Sequence, residues 1–286
     1  MDINTVMTIF FVVVTTLFGI VIGSFLNVVI YRIPEGRTIV KGHSMCMSCG
    51  HTLGALDLVP IFSWLFLGGK CRYCKAPVAS RYIKIESFTG LVFLLFALAH
   101  THYQLDILDL YNVSRLVFFA YYCITLLMFA SLVSVMMIYH DKQRSYYGFT
   151  VFAGSCAVFL SAITCYITGI APAALYLLVS VSVALIIVGI LAFLCKICRK
   201  KYTANDFWLD LPYAFFYAFF GTILIDYRFA AVSSAVTLII PRLFLKNTKL
   251  DKYSAIVSTC GLVLVNVIGF IIDSIFGNHF VSILVF

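Results

Sequence analysis

Long apolar runs dominate this sequence and restrict what it can fold into. Of its 286 residues, 63% are hydrophobic and only 11% are charged, far from the composition of an average soluble domain. A run of roughly 17 to 25 apolar residues is long enough to cross a bilayer as a helix. We therefore expect an all-α polytopic membrane protein with about eight transmembrane helices. The eight runs lie at about 6–30, 84–101, 114–138, 147–170, 172–194, 207–225, 229–245 and 254–280.

The positions of lysine and arginine predict how these helices are oriented. Eighteen of the twenty cations lie in alternate gaps or at the run ends that border them, and only Arg115 and Arg228 lie at the other ends. Cationic loops stay on the cytoplasmic side of a membrane, so both termini are predicted to lie outside. The first run lacks the basic flank of a cleavable signal peptide and is expected to stay in the protein. This topology also explains the net charge of +8, and nucleic-acid binding is not expected.

One large gap holds two cysteine pairs, Cys46 and Cys49 in "CMSC" and Cys71 and Cys74 in "CRYC". Two such tight turns supply four thiolates, which is typical of a structural zinc site. Gly50 provides the flexible backbone that such a turn needs. Two disulfides are the alternative, although a cytoplasmic loop is kept reduced. Few large apolar side chains surround the cysteines, so the metal is expected to supply the folding energy.

The chain is therefore predicted to have three parts. Residues 1–31 form the first transmembrane helix, and residues 32–83 form a small cytoplasmic four-cysteine zinc-binding domain. Residues 84–286 form a membrane bundle of seven helices.

Two acids at helix ends are candidates for chemistry, because charged side chains are costly in a bilayer. Asp141 ends the third helix in "MIYHDKQRSYYGF", and Asp206 begins the sixth in "KKYTANDFW". A solvated loop acid is the alternative for Asp141. A helix cap formed by Asn205 or Asp206 is the alternative for the second site. If the two helices pack side by side, the carboxylates could share a proton and act as the acid and base of an aspartic protease.

Several stretches around the cysteine pairs resemble the N-terminal part of type IV prepilin peptidases. The resemblance extends from about Gly23 to Gly90, and the eight-helix layout agrees with it over the whole chain. The matching stretches are the two C-x-x-C pairs, "GSFLNVVIYRIP" (Gly23 to Pro34), "DLVPIFSW" (Asp57 to Trp64), "GKCRYC" (Gly69 to Cys74) and "SRYIKIES" (Ser80 to Ser87).

The resemblance implies a bacterial inner-membrane enzyme with two activities. Such enzymes are G-x-G-D aspartic proteases that remove the basic leader of type IV prepilins or pseudopilins at the cytoplasmic face. They then methylate the new N-terminus with S-adenosylmethionine, in systems for pili, type II secretion or competence. By this resemblance residues 84–286 are the peptidase bundle, Asp141 and Asp206 are catalytic, and prepilin and membrane lipid are the partners.

The sequence departs from that family pattern at both acids. The family's first aspartate is followed seven to eight positions on by Pro-Asn or Pro-Asp, where this chain has Gly148 and Phe149. A register two residues earlier would put Tyr139 at the catalytic position. The G-x-G-D tetrad is "TAND" (Thr203 to Asp206), the customary lysine two positions later is Trp208, and Asp210 is a rival for the second aspartate.

Three functions therefore compete. The first is an active prepilin peptidase. The second is a family member without peptidase activity that binds or assembles pilin-like proteins, which the altered tetrad favours. The third is a transporter with a zinc-binding regulatory loop, although the sequence lacks the paired broken helices of such proteins.

Overall fold

Helices form most of the part of the chain that the structure describes, and a long non-helical segment lies between the first two long helices. The computed structural model describes residues 3–111, 115–142, 144–168, 173–220 and 235–276, and these residues contain no β-strand. The helices are α1 (Ile3–Arg32), α2 (Phe62–Phe66), α3 (Arg81–Tyr111), α4 (Arg115–Lys142), α5 (Tyr147–Thr168), α6 (Ala173–Ile197), α7 (Ala204–Phe220), α8 (Ile240–Leu245) and α9 (Ser254–Phe276).

The eight predicted apolar runs coincide with helices wherever they are described. The seventh run differs in its type of helix, because Ala235–Ile239 forms one π-helical stretch before α8 begins. Two stretches, Thr5–Arg32 and Phe119–Lys142, are long and apolar enough to cross a membrane. A helical membrane protein is consistent with these features, whereas eight spans remain a prediction. The predicted connection at 226–228 lies outside the described residues.

The chain divides into two compact units, Met1–Thr101 and His102–Phe286. In the first unit α1 and α3 pack closely through glycines. A Cβ atom on Gly19 would lie 2.5 Å from the Cβ of Phe93, and one on Gly23 would lie 2.8 Å from the Cα of Glu86. Glycines four residues apart let two helix backbones approach in this way. This packing explains why α3 belongs to the first unit as far as Thr101, although the sequence prediction begins the bundle at residue 84.

Replacing Gly23 by alanine is expected to force α1 away from α3. The new methyl group would meet the backbone of Glu86, and overpacking of this kind costs about 1–3 kcal/mol. Thermal unfolding of the purified protein in detergent measures the loss. Gly148→Ala is the matched control, because a Cβ there meets nothing within 4 Å. Equal melting temperatures for the two variants would contradict close packing at Gly23.

The second unit is a bundle built around α4, α5, α6 and α7. The most extensive packing joins α6 to α7, α4 to α5 and α5 to α7, while α9 packs on α4. Phe129 of α4 and Phe216 of α7 meet edge to face, with ring centroids 6.4 Å apart, and both are fully buried. The apolar residues of α4 are mostly buried, whereas those of α1 are mostly exposed. The condition that the third and sixth predicted helices pack together is met, because α4 contacts α7.

Candidate functional site

Four cysteines of the first unit form a compact cluster. The sulfur atoms of Cys46, Cys49, Cys71 and Cys74 all lie within 4.8 Å of one another. The Sγ atoms of Cys46 and Cys74 are 3.8 Å apart, and none of the four forms a disulfide. A tetrahedral ion with metal–sulfur bonds of about 2.3 Å places its sulfur ligands about 3.8 Å apart. The cluster therefore could hold a metal ion such as zinc, and the disulfide alternative does not fit this structure.

The two cysteine turns have the same backbone design. In the first turn the N–H of Gly50 donates to the carbonyl of Cys46 at 2.9 Å, and in the second the N–H of Lys75 donates to Cys71 at 3.1 Å. The residue after each pair is left-handed, with φ of +70° at Gly50 and +61° at Lys75. This confirms that the turn needs a permissive backbone at Gly50.

The thiols in this cluster differ in acidity. Backbone N–H groups of Cys49 and Ser48 lower the pKa of Cys46 to about 6. The N–H of Ala76 favours the thiolate of Cys74, but burial and the neighbouring thiols outweigh it and raise the pKa of Cys74 to about 11. Four sulfurs this close cannot all ionise without a cation between them. The donor set therefore suits a soft divalent metal that neutralises thiolates.

Asp57 links the "DLVPIFSW" stretch (Asp57 to Trp64) to the second cysteine turn. Its carboxylate pairs with the guanidinium of Arg72 and accepts hydrogen bonds from Tyr73 Oη at 3.3 Å and from the N–H of Gly54 at 3.1 Å. The Asp57 side chain is 5% exposed. Arg72 holds the pKa of Asp57 below its usual range. The link is thus fully present at neutral pH and is lost as pH falls through this lowered pKa.

Asp57→Asn is expected to loosen the metal site at neutral pH. Arg72 and Tyr73 lie between two metal-ligand candidates, and removing an outer partner of a ligand costs about 10–100-fold in metal affinity. The rate at which a chelator removes the metal measures this effect. Glu35→Gln is the control, because Glu35 is an acid of the same segment but lies before both cysteine pairs in the chain. Equal rates in both variants would contradict the link.

A second candidate site lies in the second unit and consists of five charged residues. We call it the buried charge cluster, and its members are Asp206, Asp210, Arg242, Lys246 and Asp251. The side chains of both α7 acids are 1% exposed and that of Arg242 is 3% exposed, while Asp251 lies at the edge with 18%. Three acids face two cations, so the cluster is close to neutral.

Asp206 is held on both of its carboxylate oxygens. Its Oδ2 accepts hydrogen bonds from the backbone N–H and the hydroxyl of Thr203, at 2.8 and 2.6 Å. Its Oδ1 binds the ammonium of Lys246 and lies 3.8 Å from Nη2 of Arg242. Since α7 begins at Ala204 and the carbonyl of Thr203 accepts the first helical bonds, Thr203 is the cap residue. Asp206, three residues later, accepts the backbone N–H of Thr203, as the acid of a capping box does. The cap is therefore Thr203, and not Asn205 or Asp206 as predicted.

Asp210, the second α7 acid, pairs with Arg242. Arg242 Nε donates to its Oδ1 at 2.7 Å, and the hydroxyl of Tyr202 donates to its Oδ2 at 3.0 Å. Arg242 also donates to the hydroxyl of Ser254 at 2.9 Å, so it joins α7, α8 and α9. Its remaining nitrogen, Nη2, is buried without a hydrogen bond.

The tetrad Thr203–Asp206 has side chains that form hydrogen bonds at the two positions where the family pattern has glycines. Asn205 stands at the second glycine position, and its Oδ1 accepts the backbone N–H of Ser145 at 2.8 Å. The hydroxyl of Ser145 donates to the carbonyl of Asn205 at 2.6 Å. The segment after α4 therefore packs directly on the tetrad, in the space that glycines would leave open.

Asp141 lies in a different environment from Asp206. Its side chain is 25% exposed at the C-terminal end of α4, where it contacts Nδ1 of His140 at 3.1 Å. Tyr139, two residues earlier, reaches the buried charge cluster from α4. Its hydroxyl donates to Asp251 at 3.2 Å, and the guanidinium of Arg242 stacks 5.2 Å from its ring centroid. The pairing of Asp141 with Asp206 stays a prediction.

Sequence reasoning missed the cations of this cluster. Arg242 and Lys246 entered the sequence analysis only as markers of membrane orientation. Arg242 lies inside the apolar run 229–245, where an arginine is costly unless it is paired. That cost was the available signal that Arg242 needed an acidic partner.

Comparison with known proteins identifies the first part of the chain. A family model described as the bacterial peptidase A24 N-terminal domain matches residues 17–100. Residues 17–100 are similar to this family, and we call them the A24 N-terminal domain. The A24 N-terminal domain contains the four-cysteine cluster, Asp57 and α2. The resemblance to type IV prepilin peptidases is thereby confirmed over this segment.

Curated relatives agree with this assignment. A "Prepilin leader peptidase/N-methyltransferase" of Myxococcus xanthus is 45% identical over 83 residues, 29% of this chain and 25% of the relative. Proteins of the same name from Aeromonas hydrophila and Dichelobacter nodosus are 37% and 33% identical over 100 and 131 residues. These two matches cover 27% and 36% of this chain, and 34% and 44% of the relatives. The chain thus spans less than half the length of the curated relatives it matches, and no solved structure is significantly similar to it.

Proposed function

We propose that this protein processes the leader peptides of type IV prepilins or pseudopilins in the bacterial cytoplasmic membrane. The match of residues 17–100 to the A24 N-terminal domain is the observation that carries the proposal. The names of the relatives support both leader cleavage and N-methylation. We take residues 32–83 and the candidate catalytic acids at the ends of α4 and α7 to lie at the cytoplasmic face, with both termini outside and no role for nucleic acid.

The proposed cleavage uses Asp206 and Asp141 as a pair. Lys246 and Arg242 favour the ionised form of Asp206, which suits a general base. Asp206 takes a proton from water, and the hydroxide adds to the scissile carbonyl. Asp141 acts as the acid of the pair and gives a proton to the leaving amine as the peptide bond breaks. The Oδ1 atom of Asp206 can accept the water beside Lys246, because each carboxylate oxygen accepts about two hydrogen bonds.

Two cofactors belong to this proposal. Zinc bound by Cys46, Cys49, Cys71 and Cys74 would order the loop next to the membrane. S-adenosylmethionine would supply the methyl group for the new N-terminus of the pilin, and no residue of this chain is assigned to it.

A second candidate function is a pilin-binding or assembly factor without peptidase activity. The buried charge cluster favours it, because Lys246 and Thr203 already occupy the carboxylate of Asp206. Tyr139 of α4 also contacts the cluster, through Asp251 and Arg242. The Asn205–Ser145 contact also fills the space next to the tetrad.

Co-expression with a prepilin in membranes distinguishes the two functions. We expect the native chain to shorten the prepilin, and Asp206→Asn and Asp141→Asn to abolish the shortening while the prepilin still co-purifies. Co-purification without shortening by the native chain would reject the peptidase in favour of the binding factor. Shortening that survives Asp206→Asn would move the second acid to Asp210.

A further inference from the structure

The short helix α2 presents an exposed apolar face. Phe62, Leu65 and Phe66 are 51%, 55% and 85% exposed, and their spacing of three and four residues puts them on one side of the helix. The rings of Phe62 and Phe66 stack with centroids 6.3 Å apart and an angle of 24° between them. Three large apolar side chains in one exposed patch mark a contact surface rather than a random surface feature.

The opposite side of α2 is fixed to the rest of the A24 N-terminal domain. Trp64 Nε1 donates to the carbonyl of Val78 at 3.2 Å. The Trp64 ring also lies over Gly69, where a Cβ would be only 2.7 Å from the indole. These contacts hold the helix in one rotation, so the apolar face cannot turn inward without breaking them.

The position of α2 along α1 and α3 indicates what covers the apolar face. The backbone N–H of Ile61, the residue before α2, donates to the buried carboxylate of Glu86 at 2.7 Å. The Glu86 backbone packs on Gly23 of α1. Gly23 lies nine residues before Arg32, about 13 Å inside the end of α1 at 1.5 Å per residue. Since Thr5–Arg32 is a candidate membrane span, α2 begins at a depth where α1 is still in the bilayer.

The charge of the surrounding segment fits the same location. Residues 32–83 contain seven lysines and arginines against two acids. Lys70 and Lys75, which follow α2, are exposed. Cations beside an apolar and aromatic face are typical of segments that lie in the membrane interface, because lipid phosphates attract the cations while the apolar face enters the acyl region.

We propose that α2 is an interfacial helix whose Phe62, Leu65 and Phe66 insert among the phospholipids of the cytoplasmic leaflet. The inserted face would fix the segment between α1 and α3 against the membrane surface. This role does not depend on peptidase activity, and it holds equally for a pilin-binding protein.

Photo-crosslinking of the full-length protein in phospholipid vesicles tests this proposal. Phe66→p-benzoyl-phenylalanine puts a reactive aromatic group on the apolar face, and the same replacement at Met47 is the control, because Met47 is 67% exposed in the first cysteine turn. Metal content of both variants checks that the domain is folded. After irradiation we expect the peptide containing residue 66 to gain the mass of one phospholipid. In the Met47 variant we expect no phospholipid adduct on the peptide containing residue 47.

Three outcomes would overturn the proposal. Adducts between residue 66 and a second protein chain would make the face a protein-binding surface. The absence of any adduct at residue 66 would mean that water covers it. Lipid adducts of equal yield at residues 66 and 47 would mean that the contact is not specific to the α2 face.

Discussion

Chelation of the metal from the four-cysteine cluster is expected to unfold residues 42–80 while the long helices persist. Only Gly69 and Cys71 are buried among these residues, so the loop lacks an apolar core. Zinc-dependent modules of this kind owe about 10–16 kcal/mol of apparent folding energy to the metal. Loss of the metal therefore removes most of what holds the two cysteine turns together, whereas the backbone hydrogen bonds of α1 and α3 remain.

Hydrogen–deuterium exchange of the purified protein measures this effect. We expect fast exchange throughout residues 42–80 after chelation and unchanged protection in α1 and α3. Cys71→Ser should reproduce the chelated pattern, whereas Cys198→Ser, an exposed cysteine outside the cluster, should not. Protection that survives chelation would show that the metal is not the main source of order in the loop.

Removing the ammonium of Lys246 is the second change with a large expected effect. Lys246→Met would leave the carboxylate of Asp206, which is 1% exposed, without the cation bound to its Oδ1. Breaking one side of a buried ion pair typically costs about 3–5 kcal/mol. We expect a large fall in the melting temperature of the purified protein, because α7 and the end of α8 would lose the contact that joins them.

Two further variants separate this effect from a general loss of charge. Lys249→Met, an exposed lysine three residues away, is expected to change stability by no more than about 0.5 kcal/mol. The double variant Lys246→Met/Asp206→Asn should recover part of the loss, because no unpaired charge remains buried. Equal melting temperatures for Lys246→Met and Lys249→Met would contradict the buried pair.

The two cysteine turns of the first unit could be predicted from sequence, because each turn depends on residues that are close together in the chain. The spacing of Cys46, Cys49, Cys71 and Cys74 defines two turns, and Gly50 has the positive φ that such a turn requires. The positions of the helices could also be predicted, since an apolar run must form a helix to satisfy its backbone in lipid. The contact between Gly23 and Glu86 could not, because it depends on how two distant helices cross.

The contacts within the buried charge cluster could not be predicted from the sequence. Asp206 and Lys246 are forty residues apart, and nothing local to either residue names the other. The same tertiary packing brings Tyr139 of α4 to Arg242. The sequence left open which residue of α4 this would be, since a shift of two residues along α4 moves a side chain to another face of the helix.

These contacts bear directly on the proposed chemistry. A water molecule must share Asp206 with Lys246, and a substrate backbone must pass the Asn205–Ser145 contact. A peptidase can meet both demands if the segment after α4 moves when the prepilin binds. A binding factor would not need that movement, so cleavage is the property that separates the two functions.

The mass of a pilin N-terminus recovered from membranes containing this protein tests the proposed leader-peptide processing most directly. We expect a pilin that has lost its leader and gained one methyl group on the new N-terminus. We also expect an intact leader when the membranes contain Asp206→Asn. An intact, unmethylated prepilin in the presence of the native, metal-loaded protein would contradict the proposed function.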